Sequence, residues 1–202
     1  MRQDKLVEER ELFFKQWLRS PRSMGSIIPS SRALARAVAR ETVWRPGAFV
    51  VELGGGTGAI TRGLLEAGIP PEHLLVVELD RPLYEYLRDT FRECRVVQGD
   101  ATRLDEILTR QGIARVSTVV SGLPMVNMPK DFKRAVIDQA FRAVGPDGVV
   151  LQYSYSPVCP IPAAELGVEA RIARWVPWNV PPAAVWRYTR RHRHVASGRH
   201  PG

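Results

Sequence analysis

Residues 48–68 read AFVVELGGGTGAITRGLLEAG: an apolar run closed by Glu52-Leu53, four glycines within Gly54–Gly58, then apolar residues at helical spacing. A strand that runs into a glycine loop and opens a helix is the setting of a nucleotide-type ligand site. Glycine lets the backbone approach a ligand closely, and the helix N-terminus offers N–H groups with no partner inside the helix. Gly54, Gly56 and Ala59 come near the dinucleotide spacing G-x-G-x-x-G, so the glycines alone do not choose a ligand.

Outward from this stretch, short apolar runs alternate with helical patterns. HLLVVEL (73–79), RVVQGD (95–100), VSTVVSG (116–122) and GVVLQYSYS (148–156) are further strand candidates, with helices expected over RPLYEYLRDTF (81–91) and FKRAVIDQAFRAVG (132–145). Strands that are nearly continuous Val and Leu want cover on both faces, which predicts a parallel sheet between helical layers. VEARIARWVPW and AAVWRYTRR, on either side of Val180-Pro181-Pro182, read as a closing pair of strands. The expectation is an α/β, Rossmann-like fold with a mostly parallel seven-stranded sheet. Its organisation is a leader, loop and capping helix in 1–45, a ligand-binding domain in 46–191 and a basic tail in 192–202.

Three acids stand at three successive strand ends: Glu52 before the glycines, Glu78 closing the second strand, Asp100 closing the third. Ligands of such sheets bind beyond the strand carboxyl ends. A carboxylate directly before the loop repels a pyrophosphate, whereas a ligand with an ammonium, a sulfonium, a ribose and an adenine suits all three.

Composition bounds the rest. A chain of 202 residues with 45% hydrophobic content buries one sizeable core. Cys94 and Cys159 form no CxxC pair, which predicts reduced thiols and a cytoplasmic setting. No apolar stretch approaches the roughly 20 residues of a spanning helix, so any membrane contact is expected to be peripheral. The +8 charge belongs to the ends: six basic residues against four acidic ones in 1–22, and seven arginines with no acid in 171–202. Such ends face phosphates, whether of lipid or of nucleic acid, or are simply solvated. His192 and His194 belong to no ligand cluster, and no metal is expected.

The loop E-L-G-G-G-T-G resembles the first motif, E-x-G-x-G-x-G, of the class I S-adenosylmethionine methyltransferases. The resemblance implies that Gly54, Gly55, Gly56, Thr57 and Gly58 shape the loop against the methionine part and that Glu52 holds its ammonium. It implies that Glu78 accepts the ribose hydroxyls, Leu79 packs on adenine, Asp100 with the Ala101 N–H reads the adenine edge, and Ser121 completes the cofactor side. S-Adenosylmethionine becomes S-adenosylhomocysteine as product.

The fourth strand ends Ser121-Gly122-Leu123-Pro124-Met125, where an acceptor meets the methyl group. Adenine N6-methyltransferases similar to the ribosomal RNA dimethylases carry N-L-P-Y here. Ser121 in place of the leading Asn, and Met125 in place of the stacking aromatic, speak against a nucleobase acceptor. Together with MGSIIPSSRALARAVA (24–39) and NVPPAAVWRYTRR (179–191), the chain resembles bacterial phospholipid N-methyltransferases, which convert phosphatidylethanolamine stepwise to phosphatidylcholine. Gly55, where related loops often have proline, is expected to loosen the turn slightly.

The leader places Leu6, Val7, Phe13, Phe14, Trp17 and Leu18 in one helical sector, with Arg2, Lys5, Lys15 and Arg19 opposite. Such a helix lies at a lipid interface or docks on the sheet domain. The membrane set is Lys5, Phe13, Phe14, Lys15, Trp17 and Arg19, on an anionic surface at the inner face of the cytoplasmic membrane. Ser30 or Ser31 caps the next helix. Gly122, Leu123, Pro124, Arg187 and Trp17 are expected around the lipid headgroup. Tyr155, and after it Tyr153, is expected to orient the amine or to cradle the growing quaternary ammonium. Two rivals stand beside the lipid enzyme: a nucleic-acid methyltransferase, and a cofactor-sensing membrane-binding module without chemistry.

Overall fold

The computed structural model describes residues 31–156 and 158–190. Five parallel strands, β1 (Phe49–Leu53), β2 (Leu74–Glu78), β3 (Arg95–Gln98), β4 (Val116–Ser121) and β5 (Val149–Ser154), form most of a seven-stranded sheet. β6 (Val168–Val176) and β7 (Ala183–Arg190) complete it in the order β3-β2-β1-β4-β5-β7-β6, with β7 antiparallel to both neighbours. The chain steps outward from β1 to β3 and then returns to the other side of β1 with β4. That reversal places a crevice between the carboxyl ends of β1 and β4.

Alternation along the central strands explains the two-faced core. Val51, Leu53, Leu75 and Val77 pack with Ile107, Val136, Ile137 and Phe141 on one face. Val50 and Val76 pack with Leu34, Val38, Ile60, Leu64 and Leu87 on the other. The first face is covered by α4 (Leu104–Arg110) and α5 (Lys130–Val144), the second by α1 (Arg32–Glu41), α2 (Ala59–Glu66) and α3 (Arg81–Thr90).

The helix ends follow local chemistry. Of the two serines expected to cap α1, Ser31 does so, its hydroxyl accepting the Leu34 N–H at 3.2 Å. Asp80 caps α3 through the Leu83 N–H at 3.1 Å. α1 crosses α2 at Gly63, where an added Cβ would stand 2.6 Å from that of Ala35; only glycine permits so close a crossing. α4 was not among the helices expected from the sequence. Its Leu104, Ile107 and Leu108 are buried at i, i+3 and i+4, but seven residues give the period barely two turns in which to show.

Candidate functional site

The ends of the central strands stay laced after the strands stop. The Gly54 N–H donates to Val77 O at 2.8 Å, the Gly122 N–H to Leu53 O at 2.8 Å, and the Gly99 N–H to Glu78 O at 3.0 Å. Four loops therefore leave one shared edge. The glycine loop turns on Gly54, Gly56 and Gly58, all at positive φ, and closes with the Gly58 N–H on Gly55 O at 2.9 Å before α2 begins. Gly55 corrects its expectation: a Cβ there would stand 2.5 Å from Val76 Cγ1 and 2.8 Å from Leu87 Cδ1. The position is crowded by the core rather than loose. Thr57 is exposed at the outer rim of the loop.

Glu52 is fully buried. Its Oε2 accepts the Thr61 hydroxyl at 2.7 Å, while Oε1 has no hydrogen-bond partner among the described residues. Burial pushes its pKa up to about 8 against the Thr61 bond, with nearby Glu78 adding to the rise. The carboxyl group thus stands ready to become charged when a cation arrives.

Glu78 is 1% exposed and joins two loops. Its Oε2 accepts the Gly56 N–H at 2.9 Å, and its Oε1 accepts those of Leu79 at 2.8 Å and Asp80 at 3.0 Å. Burial raises its pKa, and the three N–H groups oppose the rise. A carboxylate has about four acceptor positions, so three N–H bonds leave room for roughly one further donor. Pairing with both ribose hydroxyls would require the Gly56 bond to open. Asp100 follows β3 and caps the 3-10 turn Ala101–Arg103 through the Thr102 N–H at 2.8 Å; Ala101 is buried beneath it and Leu79 is half-buried at the end of β2.

The segment after β4 folds back onto the glycine loop. Leu123 Cδ2 would lie 3.0 Å from a Cβ on Gly54, and the Leu123 N–H reaches the hydroxyl of buried Ser121 at 3.4 Å. Gly122 and Pro124 are half-buried beside it, and Met125 is 1% exposed in the core. A residue that sequence reasoning missed holds this turn: Gln152, in β5, donates its Nε2 to Leu123 O at 3.0 Å and to Tyr153 O at 2.7 Å. The signal is an amide directly after the apolar run Val149–Leu151 of β5.

Of the two tyrosines expected at the amine, Tyr153 lies against the turn after β4. A Cβ on Gly122 would overlap the Tyr153 hydroxyl, so this ring reaches over the β4 end, toward Gly54 O. Tyr155 stands edge-on behind it, with ring centroids 6.5 Å apart. The Tyr153 hydroxyl thus stands at the junction of the two loops.

Arg187 is not brought to this edge. It pairs with Leu151, three residues back from the end of β5, and its guanidinium lies 3.8 Å from Glu41, which also holds Arg174 at 2.7 Å. Its charge ties α1 to the β6–β7 pair. Trp17 and the other leader positions, Lys5, Phe13, Phe14, Lys15 and Arg19, lie outside the described residues, as do His192 and His194. Among the described residues there is no cluster of three or more His, Cys, Asp or Glu side chains placed to hold a metal ion.

Comparison with known proteins agrees with this arrangement. Residues 50–148 match the family described as "Methyltransferase domain". An ornithine lipid N-methyltransferase of Singulisphaera acidiphila is 33% identical over 149 residues, covering 72% of this chain and 78% of that protein. Ribosomal RNA small subunit methyltransferase A of Thermosynechococcus vestitus is 35% identical over 102 residues, covering half of this chain and 33% of that protein. Among solved structures, a TehB-like SAM-dependent methyltransferase from Corynebacterium glutamicum superimposes with a TM-score of 0.56 at 21% identity, covering 91% of this chain and 99% of that one.

Proposed function

Because the chain belongs to the class I S-adenosylmethionine-dependent methyltransferases, we propose that it methylates the primary amine of a membrane lipid, with phosphatidylethanolamine and its methylated intermediates as acceptors on the way to phosphatidylcholine. The observation that carries the acceptor class is the turn after β4. Met125 is buried where a base-stacking aromatic would stand, and the group aimed across the turn is a tyrosine hydroxyl. An amine needs orientation and a route for its proton rather than a stacking platform. The ornithine lipid N-methyltransferase named above supports a lipid amine and adds an ornithine headgroup to the acceptors worth testing.

The residues fit the cofactor on their own chemistry. Glu52 carries a buried Oε1 behind the loop, without a partner among the described residues, where the methionine ammonium would make the carboxylate favourable. The remaining acceptor position of Glu78 suits one ribose hydroxyl, and Asp100, Ala101 and Leu79 would bound the adenine. Bound there, S-adenosylmethionine supplies an electrophilic methyl group on sulfur.

The protein's work is then alignment and proton management. An amine of lysine-like basicity is mostly protonated at neutral pH and must be neutral to attack. The Tyr153 hydroxyl over Gly122 would accept its hydrogen bond and pass the proton outward, with Ser121, Gly122, Leu123 and Pro124 as the floor. Holding two reactants in line is worth up to roughly 7 to 11 kcal/mol of barrier, so no covalent nucleophile is required. The leader would keep the enzyme peripheral on the cytoplasmic face of an anionic membrane.

The experiment is methyl incorporation from labelled S-adenosylmethionine into phosphatidylethanolamine vesicles, with mono-, di- and trimethyl products resolved. Labelled lipid is the expected result. Labelled RNA with unlabelled lipid would refute the reading.

A further inference from the structure

Seven large apolar side chains are left exposed among the described residues; Tyr86 on α3 and Ile172 within β6 stand apart, and the other five, which include the three most exposed, lie on or beside the segments at one end of the sheet. Trp178 (88%), Val180 (77%) and Val158 (67%) lead them, with Trp175 and Val126 about half exposed. Single exposed apolar residues need no explanation, but a group gathered at one place marks an interaction site.

Topology gathers these. β5 ends at Ser154, which faces Ala184 near the start of β7, and β6 ends at Val176, which faces Ala183. The 177–182 turn that carries Trp178 and Val180 therefore stands at the carboxyl ends of the parallel strands, the end where the glycine loop and Gly122 lie. Trp175 is the penultimate residue of edge strand β6, one residue before this turn. Val158 lies on the segment leaving β5 and Val126 on the segment leaving β4, both at that same end.

Charge follows the same distribution. The chain has only four lysines, Lys5 and Lys15 in the leader, and Lys130 and Lys133 at the start of α5. Lys133 donates to the carbonyl of Val126 at 3.2 Å, and Lys130 pairs with Glu165 at 3.3 Å while its side chain stays 77% exposed, so Lys133 is the nearer cation and Lys130 a shared one. The turn also holds the head of α1: the Ser31 N–H donates to buried Asn179 Oδ1 at 3.3 Å.

We propose that the 177–182 turn, with Trp175, Val126 and Val158, forms a docking rim for a bilayer containing anionic lipid, and that the rim holds the mouth of the crevice against the membrane surface. The inference rests on the lipid-amine reading and adds to it a second contact, distinct from the leader. Indole rings favour the headgroup level of a bilayer, and lysines beside them attract anionic headgroups. A rim at the strand ends brings a headgroup to Gly122 and Tyr153 without extracting the lipid.

The test uses the full chain with Trp178→Ser and Val180→Ser together; both residues are exposed, and neither contacts the crevice groups described above. Co-sedimentation with phosphatidylethanolamine–phosphatidylglycerol vesicles should weaken by about tenfold or more, since interfacial binding scales with the apolar area inserted. Cofactor affinity should not change, and methylation of a short-chain phosphatidylethanolamine dissolved as monomers should proceed at the parent rate. Unchanged vesicle binding would overturn the rim, as would a parent dimer in analytical ultracentrifugation that the double variant dissociates. A parent that binds vesicles through Trp178 but methylates neither vesicle nor monomeric lipid would instead refute the lipid-amine reading.

Discussion

Replacing Glu52 with glutamine tests the electrostatics of the site without any substrate. The folded protein holds the Glu52 proton up to about pH 8, because burial penalises the carboxylate. The unfolded chain releases it near the ordinary carboxyl value. Between those limits the folded state binds more protons than the unfolded one, so stability falls as pH rises. At about 1.4 kcal/mol per pH unit, a rise from 4.5 to about 8 amounts to roughly 5 kcal/mol lost by pH 8. Glutamine stays neutral, and its carbonyl can still accept the Thr61 hydroxyl. Urea unfolding of the cofactor-free protein should give similar stabilities for parent and Glu52→Gln at pH 5. By pH 8.5 the variant should be the more stable by about 3 to 5 kcal/mol. Because the other titrating groups are common to both proteins, the difference between the two curves isolates Glu52. Parallel curves would refute the assignment of a buried, proton-holding carboxyl at this position.

Other outcomes follow from the same geometry. Glu78→Ala should leave the Gly56, Leu79 and Asp80 N–H groups without their acceptor, costing about 1 to 3 kcal/mol for a donor left buried, and calorimetry should show weakened cofactor binding. Gly55→Ala should cost about 1 to 3 kcal/mol in thermal unfolding, because Val76 and Leu87 fill the space its Cβ would take. Tyr153→Phe should lower kcat for lipid methylation by about a hundredfold, the scale of a lost acid–base group, while cofactor affinity holds. Arg187→Ala should cost less than about 1 kcal/mol and spare lipid turnover, since Arg174 still holds Glu41.

The parallel core was legible because its strands are continuous Val and Leu, buried on both faces, and because one glycine loop sits at the head of the series. The three acids were legible as a set, since successive strand ends of a parallel sheet share an edge. Their bonding was not: nothing in the spacing shows that Glu78 is already engaged by three N–H groups, or that one oxygen of Glu52 has no partner among the described residues. Arg187 misled because strand position, not residue type, decides whether a side chain reaches the crevice, and the antiparallel register places it three residues back from the end. The same register decides the rim. Trp178 reads in sequence as the last residue of a strand and Val180 as part of the connection after it; β6 ends at Val176, so both fall in the turn, which the return of β7 beside β5 brings to the site.

The central claim is that the acceptor is a lipid amine. Its most direct test offers the full-length protein, in one reaction, labelled S-adenosylmethionine with phosphatidylethanolamine, an ornithine lipid and ribosomal RNA, and identifies the labelled species by mass spectrometry. N-methylated lipid and unlabelled RNA are the expected products. Methyladenosine in the RNA with no methylated lipid would contradict it.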